Sequence, residues 1–180
     1  MAGDGAPSLA IARGELNFRT CLPNLLDCVE LGTWNLELGT GMKTIDDLFS
    51  TLYSTLSGPA GPRDWERLRP LYYPGAIMTR VTLSDDGRPS ARLMTFDQYV
   101  EATAPFLESK SFYEVETGRR VEHFGNVAHA ESAYESRWAP DDAPFMTGTN
   151  SVQLYHDGER WWILSVAWDN GRFGRLMIDD

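Results

Sequence analysis

The chain of 180 residues holds two cysteines, Cys21 and Cys28, and three histidines, and it has no apolar run long enough to cross a bilayer. Each scarcity excludes something. The spacing of the cysteines fits neither a C-x-x-C redox pair nor a zinc half-site, so both read as reduced thiols. His123, His129 and His156 show no metal-type spacing, and no Gly-rich phosphate loop, Ser-His-Asp order or zinc pattern is present. No metal or cofactor is expected. The apolar stretch Leu9 to Ala12 is far short of a signal sequence or a span, and Asp4 lies where a secretory signal would be basic, so a cytoplasmic location is expected. Basic residues are also scarce. Sixteen Lys and Arg face 26 Asp and Glu, for a formal charge of −10, and the basic residues cluster no further than pairs such as Arg119-Arg120. Neither nucleic acid nor an anionic membrane is an expected partner.

What remains is the composition of one globular domain, 42% apolar and 12% aromatic. A domain near this size buries about two-thirds of its unfolded surface and needs no disulfide or metal to fold. Residues 1–42 stand apart. They hold both cysteines, several glycines and only Phe18 and Trp34 of the 21 aromatics, and their apolar residues keep no period. They read as a weakly ordered extension ahead of a domain spanning 43–180, translated from a start upstream of the true one.

From Thr44 the pattern becomes regular. Thr44 and Asp47 form a capping signature, and Ile45, Leu48, Phe49, Leu52, Tyr53 and Leu56 recur at helical spacing until Gly58-Pro59. Asp64 caps a short second helix that ends at Pro70. Ala76 to Leu83 reads as a strand, stopped by the turn-rich residues 84–89. Thr95 with Gln98 opens another helix, whose inner face is Phe96, Tyr99, Val100, Ala104 and Leu107. Strands follow: Phe112 to Phe124 with a bulge or bend at Gly118, Val127 to Trp138, Thr147 to His156, and Arg160 to Asp169 after an Asp157-Gly158 turn. Helices segregated from strands give an α+β fold, with the helices on one face of a curved antiparallel sheet.

Five segments carry a resemblance: Leu71 to Ala76, Phe124 to His129, Ser132 to Arg137, Gly148 to Leu154 and Trp161 to Trp168. On these, and on the order of elements, the chain resembles the nuclear transport factor 2-like superfamily, which includes ketosteroid isomerase, scytalone dehydratase and SnoaL-like cyclases. The resemblance implies a cystatin-like cone, open at one end, with a pocket between the helices and the concave face of the sheet. In the isomerases a tyrosine on the first helix and an acid on a later strand hold an oxyanion, while an aspartate after the second helix moves the proton. Here Tyr53 lies on the first helix. Arg80 or Thr79 stands where the aspartate would be, and Gly75 replaces an acidic residue common in the preceding turn.

Strand alternation sorts the sheet. Ala128, Ala130, Ser132, Tyr134, Ser136 and Trp138 form one face of their strand and suit a concave wall. Arg160 to Asp169 is apolar on both faces, which calls for a second layer and suggests a homodimer through the sheet. Glu114, Glu116, Arg120 and Glu122 alternate along one face, as cross-strand ion pairs would. Asp169 closes the last strand, where it could reach the cone mouth as a buried acid or base.

These readings point first to a protein that binds a small hydrophobic or amphipathic molecule, with Tyr53, Tyr72, Met78, Tyr134, Asn150 and Trp168 lining the pocket. The alternatives are an isomerase, dehydratase or cyclase working by proton transfer through Tyr53 and Asp169, and a dimeric interaction module without a ligand. The intact mass of the native protein checks the upstream-start reading, and a mass equal to the full chain excludes it.

Overall fold

The computed structural model of the chain describes residues 42–84 and 86–171. The expected extension, with Cys21 and Cys28, therefore lies outside the described residues except for Met42. Helix α1 spans Ile45–Leu56 and starts at a reciprocal capping box between Thr44 and Asp47. A short helix α2, Trp65–Leu68, is capped by Asp64 and runs into a 3₁₀ turn, Arg69–Leu71. Strands β1, Tyr72–Leu83, and β2, Pro89–Met94, form a hairpin ahead of α3, Phe96–Ser109, which Thr95 and Gln98 cap. Four strands complete the chain: β3 Tyr113–Phe124, β4 Val127–Arg137, β5 Met146–His156 and β6 Trp161–Gly171. Among the described residues no helix is long and apolar enough to cross a membrane.

The six strands make one sheet in the order β2-β1-β6-β5-β4-β3. Two features differ from expectation. The sheet is mixed, because β1 runs parallel to β6 while the other neighbours are antiparallel. Strand β2 is an added element without an alternating pattern, since every residue in it except Met94 is exposed and Pro89 opens it. That is the behaviour of a sheet edge, where proline is tolerated.

The core lies between α1 and the concave face. Leu48 and Phe49 of α1 pack with Leu71, Leu107, Leu154 and Ile163, all at most 2% exposed. Burying each such side chain contributes roughly 1.5–3 kcal/mol. Ala128, Ala130, Ser132, Tyr134 and Ser136 are all buried on the same face of β4.

Two bulges reset the alternation of the strands. In β3, Thr117 has no partner, because Glu116 pairs with Tyr134 and Gly118 with Ala133. Glu114 and Glu116 therefore face inward with Ser136 and Tyr134, while Arg120 and Glu122 face outward with Glu131 and His129. The four do not share a face. In β6 the extra residue is Leu164: Ile163 pairs with Leu154, and Ser165 with Gln153. Ile163, Val166 and Trp168 all point inward as a result, and Ser165 and Ala167 point outward.

Part of the double apolarity of β6 has an internal cause. The outward residue Trp162 is 6% exposed and is covered within the chain. Tyr73 packs edge-on at 5.8 Å, Arg160 lies over the ring at 3.9 Å, and the indole N–H donates to Asp157 Oδ2 at 2.6 Å.

Candidate functional site

Helices α1 and α3 do not fill the concave face. Between Leu52 and Leu56 of α1, the inner face of α3 and the sheet lies a cavity of about 640 Å³. Its walls are mostly apolar and aromatic. Phe106, Phe112, Trp138 and Phe145 close one side, with Trp138 stacked on Phe145 at 3.9 Å, and Tyr99 packs edge-on against Trp168 at 5.9 Å on another. Gly148 gives Tyr134 its place: a Cβ there would stand 2.5 Å from Tyr134 Cζ, so only glycine lets the ring lie across the neighbouring strand.

Of the residues expected to line a pocket, Tyr72, Met78, Tyr134, Asn150 and Trp168 border this cavity. Tyr53 does not. It is buried behind the wall, where its hydroxyl lies 2.6 Å from Ser132 Oγ and accepts from Asn150 Nδ2 at 3.1 Å. Ser132 donates its own proton to Glu116 Oε1 at 2.5 Å, so Tyr53 is the donor to Ser132. Glu116 in turn faces Arg119 Nε at 3.5 Å. Both hydrogen-bonding directions of the phenol are taken by the fold, and burial pushes its pKa up to about 12. Asp169 is also displaced from the expected site. It is exposed and falls on the face opposite Trp168, because the Leu164 bulge turns Trp168 inward and Asp169 outward.

The acid in the cavity is Glu114. Protein surrounds it on all sides, although it keeps partial access to the void of the cavity itself. Burial pushes its carboxyl up to about 8. Its cross-strand neighbour Ser136 lies near enough to favour the ionised form slightly, but the Ser136 Oγ makes no hydrogen bond of ordinary geometry. No salt bridge reaches Glu114 among the described residues. Tyr99 and Tyr134 are held above the usual phenol range, first by burial and next by the charge of Glu114; Tyr72 is raised first by burial. At neutral pH the cavity therefore presents a protonated carboxyl that can donate a hydrogen bond, among neutral phenols.

The sequence carried one signal for Glu114. The bulge expected at Gly118 separates Glu114 and Glu116 from Arg120 and Glu122, and following that change of face through the strand puts the two glutamates inside. Arg80 also borders the cavity, and its neighbour Thr79 alternates to the opposite face. His129 lies on the outer face, with Nε2 3.0 Å from Ser151 Oγ. Among the described residues no three His, Cys, Asp or Glu side chains converge as metal ligands would.

No family model matches the chain. No curated protein matches it either. Solved structures do. One is a protein of unknown function with a cystatin-like fold from Nostoc punctiforme PCC 73102, at TM-score 0.54 and 10% identity over 72% of this chain and 95% of that one. A nuclear transport factor 2-like protein of unknown function from Pseudomonas putida KT2440 superposes at TM-score 0.53, with 13% identity over 72% and 89%. A function-unknown protein from Mycobacterium tuberculosis gives 0.54, with 17% identity over 71% and 70%. At such identities the likeness is one of fold, and the chain has the nuclear transport factor 2-like fold.

Two measurements test the roles assigned here. Tyr53→Phe is expected to cost roughly 1–2 kcal/mol in urea unfolding, since it strands Asn150 and Ser132, while leaving uptake of an apolar probe unchanged. Glu114 works in the opposite direction. Between the unfolded value of 4.5 and the folded value of about 8, the folded chain keeps a proton that the unfolded chain has released, so stability falls as pH rises through that window. Glu114→Gln is expected to be more stable than the parent by roughly 2–4 kcal/mol at the top of this window, with the difference vanishing below its lower end.

Proposed function

We propose that this protein binds a small, largely apolar molecule in the cavity between α1, α3 and the sheet, with the protonated Glu114 carboxyl as its buried polar contact. The observation that carries this reading is the coincidence of an open cavity of about 640 Å³ with a single unpaired acid inside it. A volume of that size is within the range of ligand pockets, and an apolar wall with few convergent polar groups is their usual chemistry. A carboxyl left without a cation costs stability, and a bound ligand that accepts its proton offsets that cost.

One observation favours a second reading. A carboxyl that titrates near neutrality, shielded from bulk water and facing a cavity, has what a general acid or base requires. In that case proton transfer would run through Glu114, not through Tyr53 or Asp169. An interaction module without a ligand has less support, because its cone would be expected to be filled by side chains.

The test is saturable uptake of a neutral fluorescent probe, N-phenyl-1-naphthylamine, by the full chain. Ala102 of α3 borders the cavity, so Ala102→Trp places a large side chain in the void. Binding to one site per chain is expected, and a loss of about tenfold or more in that variant, with its helical circular dichroism retained. No saturable uptake by the parent, or equal uptake by both, would refute the reading.

A further inference from the structure

Resting on that reading, we propose that Arg80 and Arg92 form a head-group subsite at the cavity rim, and that the ligand is an amphiphile with a single negative charge of the carboxylate type. The two arginines are register partners on β1 and β2. Both are exposed and both border the cavity. Like charges directly opposite one another in a sheet repel. Among the described residues no carboxylate lies within ion-pair distance of either guanidinium, although the chain carries a formal charge of −10 and most of its other arginines in the sheet are paired. A repelling pair left uncompensated in an acidic protein is relieved by an anion from outside, and two guanidinium forks suit a carboxylate.

The surroundings of the pair set the rest of the molecule. In β1 the next inward residue toward the core is Met78, opposite Met94, and in β6 the partner of Arg80 is Trp168. An anion held at the rim thus continues directly onto apolar wall. Across the cavity is Glu114. Tyr99 of α3 also borders the cavity and packs against Trp168, the strand partner of Arg80, at 5.9 Å. The protonated Glu114 carboxyl offers one proton to an acceptor and no cation to pair with a second charge, so the far end is apolar or carries a hydrogen-bond acceptor. A cationic amphiphile would meet Arg80 and Arg92 with like charge.

The experiment compares three ligands with the same ten-carbon chain, decanoate, decan-1-ol and decyltrimethylammonium, by calorimetric titration of the full chain at neutral pH. Decanoate is expected to bind about tenfold or more tightly than decan-1-ol, and decyltrimethylammonium more weakly than either. In the variant carrying Arg80→Gln and Arg92→Gln, the affinity for decanoate is expected to fall to that for decan-1-ol measured on the same variant. If decan-1-ol binds the parent and decanoate binds no tighter, the rim subsite is wrong and the apolar cavity reading stands. The same follows if the double variant keeps the preference for decanoate. If none of the three binds, both readings fall together.

Discussion

The placement of α1 depends on a chain of directional bonds centred on Arg119. Its guanidinium takes the Ile45 carbonyl at 3.1 Å, the Asp46 carboxylate and Glu116, and it lies over the Phe49 ring at 4.5 Å. From Glu116 the bonds continue through Ser132 and Tyr53 to Asn150. One helix is thereby tied to β3, β4 and β5. Apolar burial alone is non-directional and would draw the helix as close to the sheet as its side chains allow. The polar chain fixes where α1 sits, so the concave face beyond its Leu52 to Leu56 end stays unfilled. The cavity occupies that remainder.

Glu114 and Glu116 show how sharply this network divides the concave face. They are two residues apart on one strand and point the same way, yet Glu116 has a close hydroxyl donor and a guanidinium, while Glu114 has no guanidinium and only the Ser136 hydroxyl near it. The first belongs to the scaffold. The second is a cost that the scaffold carries. Arg80 and Arg92 are a second cost of the same kind, a repulsion left standing at the rim. Sequences that fold well usually agree across local and global levels, and their departures from that agreement gather where a ligand or a reaction needs them. Here the uncompensated acid and the uncompensated base pair border the same cavity.

Much of the fold was legible because its signals are local. Thr44 with Asp47 and Thr95 with Gln98 mark the helix starts, Asp157-Gly158 marks a hairpin, and the small residues of β4 mark the concave wall. Other features lacked a local signal. The parallel contact of β1 with β6 joins segments about 90 residues apart, at which distance neither segment's pattern encodes the direction of pairing. Strand β2 is too exposed to alternate. The site was harder to read than the fold, because assigning Glu114, Asp169 and Trp168 to faces requires counting residues across irregularities in the strands.

Those irregularities are what make the cavity possible. Side chains alternate with a period of two, so an inward Ile163 on a regular β6 would send Ser165 and Ala167 inward and turn Val166 and Trp168 to the outer face. Leu164, as the extra residue, reverses this, and two of the cavity's wall residues exist only because of it. In β3 a regular strand with Glu114 and Glu116 inside would continue with Gly118, Arg120 and Glu122 inside, driving charge against Ala130 and Ala128. Thr117 shifts the count, so that Arg119, Val121 and His123 face inward instead. One strand can then carry Glu114 where the concave face is open and Val121 where it is packed. A single-residue deletion at either bulge would rotate the wall of the cavity as a block, a change no substitution at one position could produce.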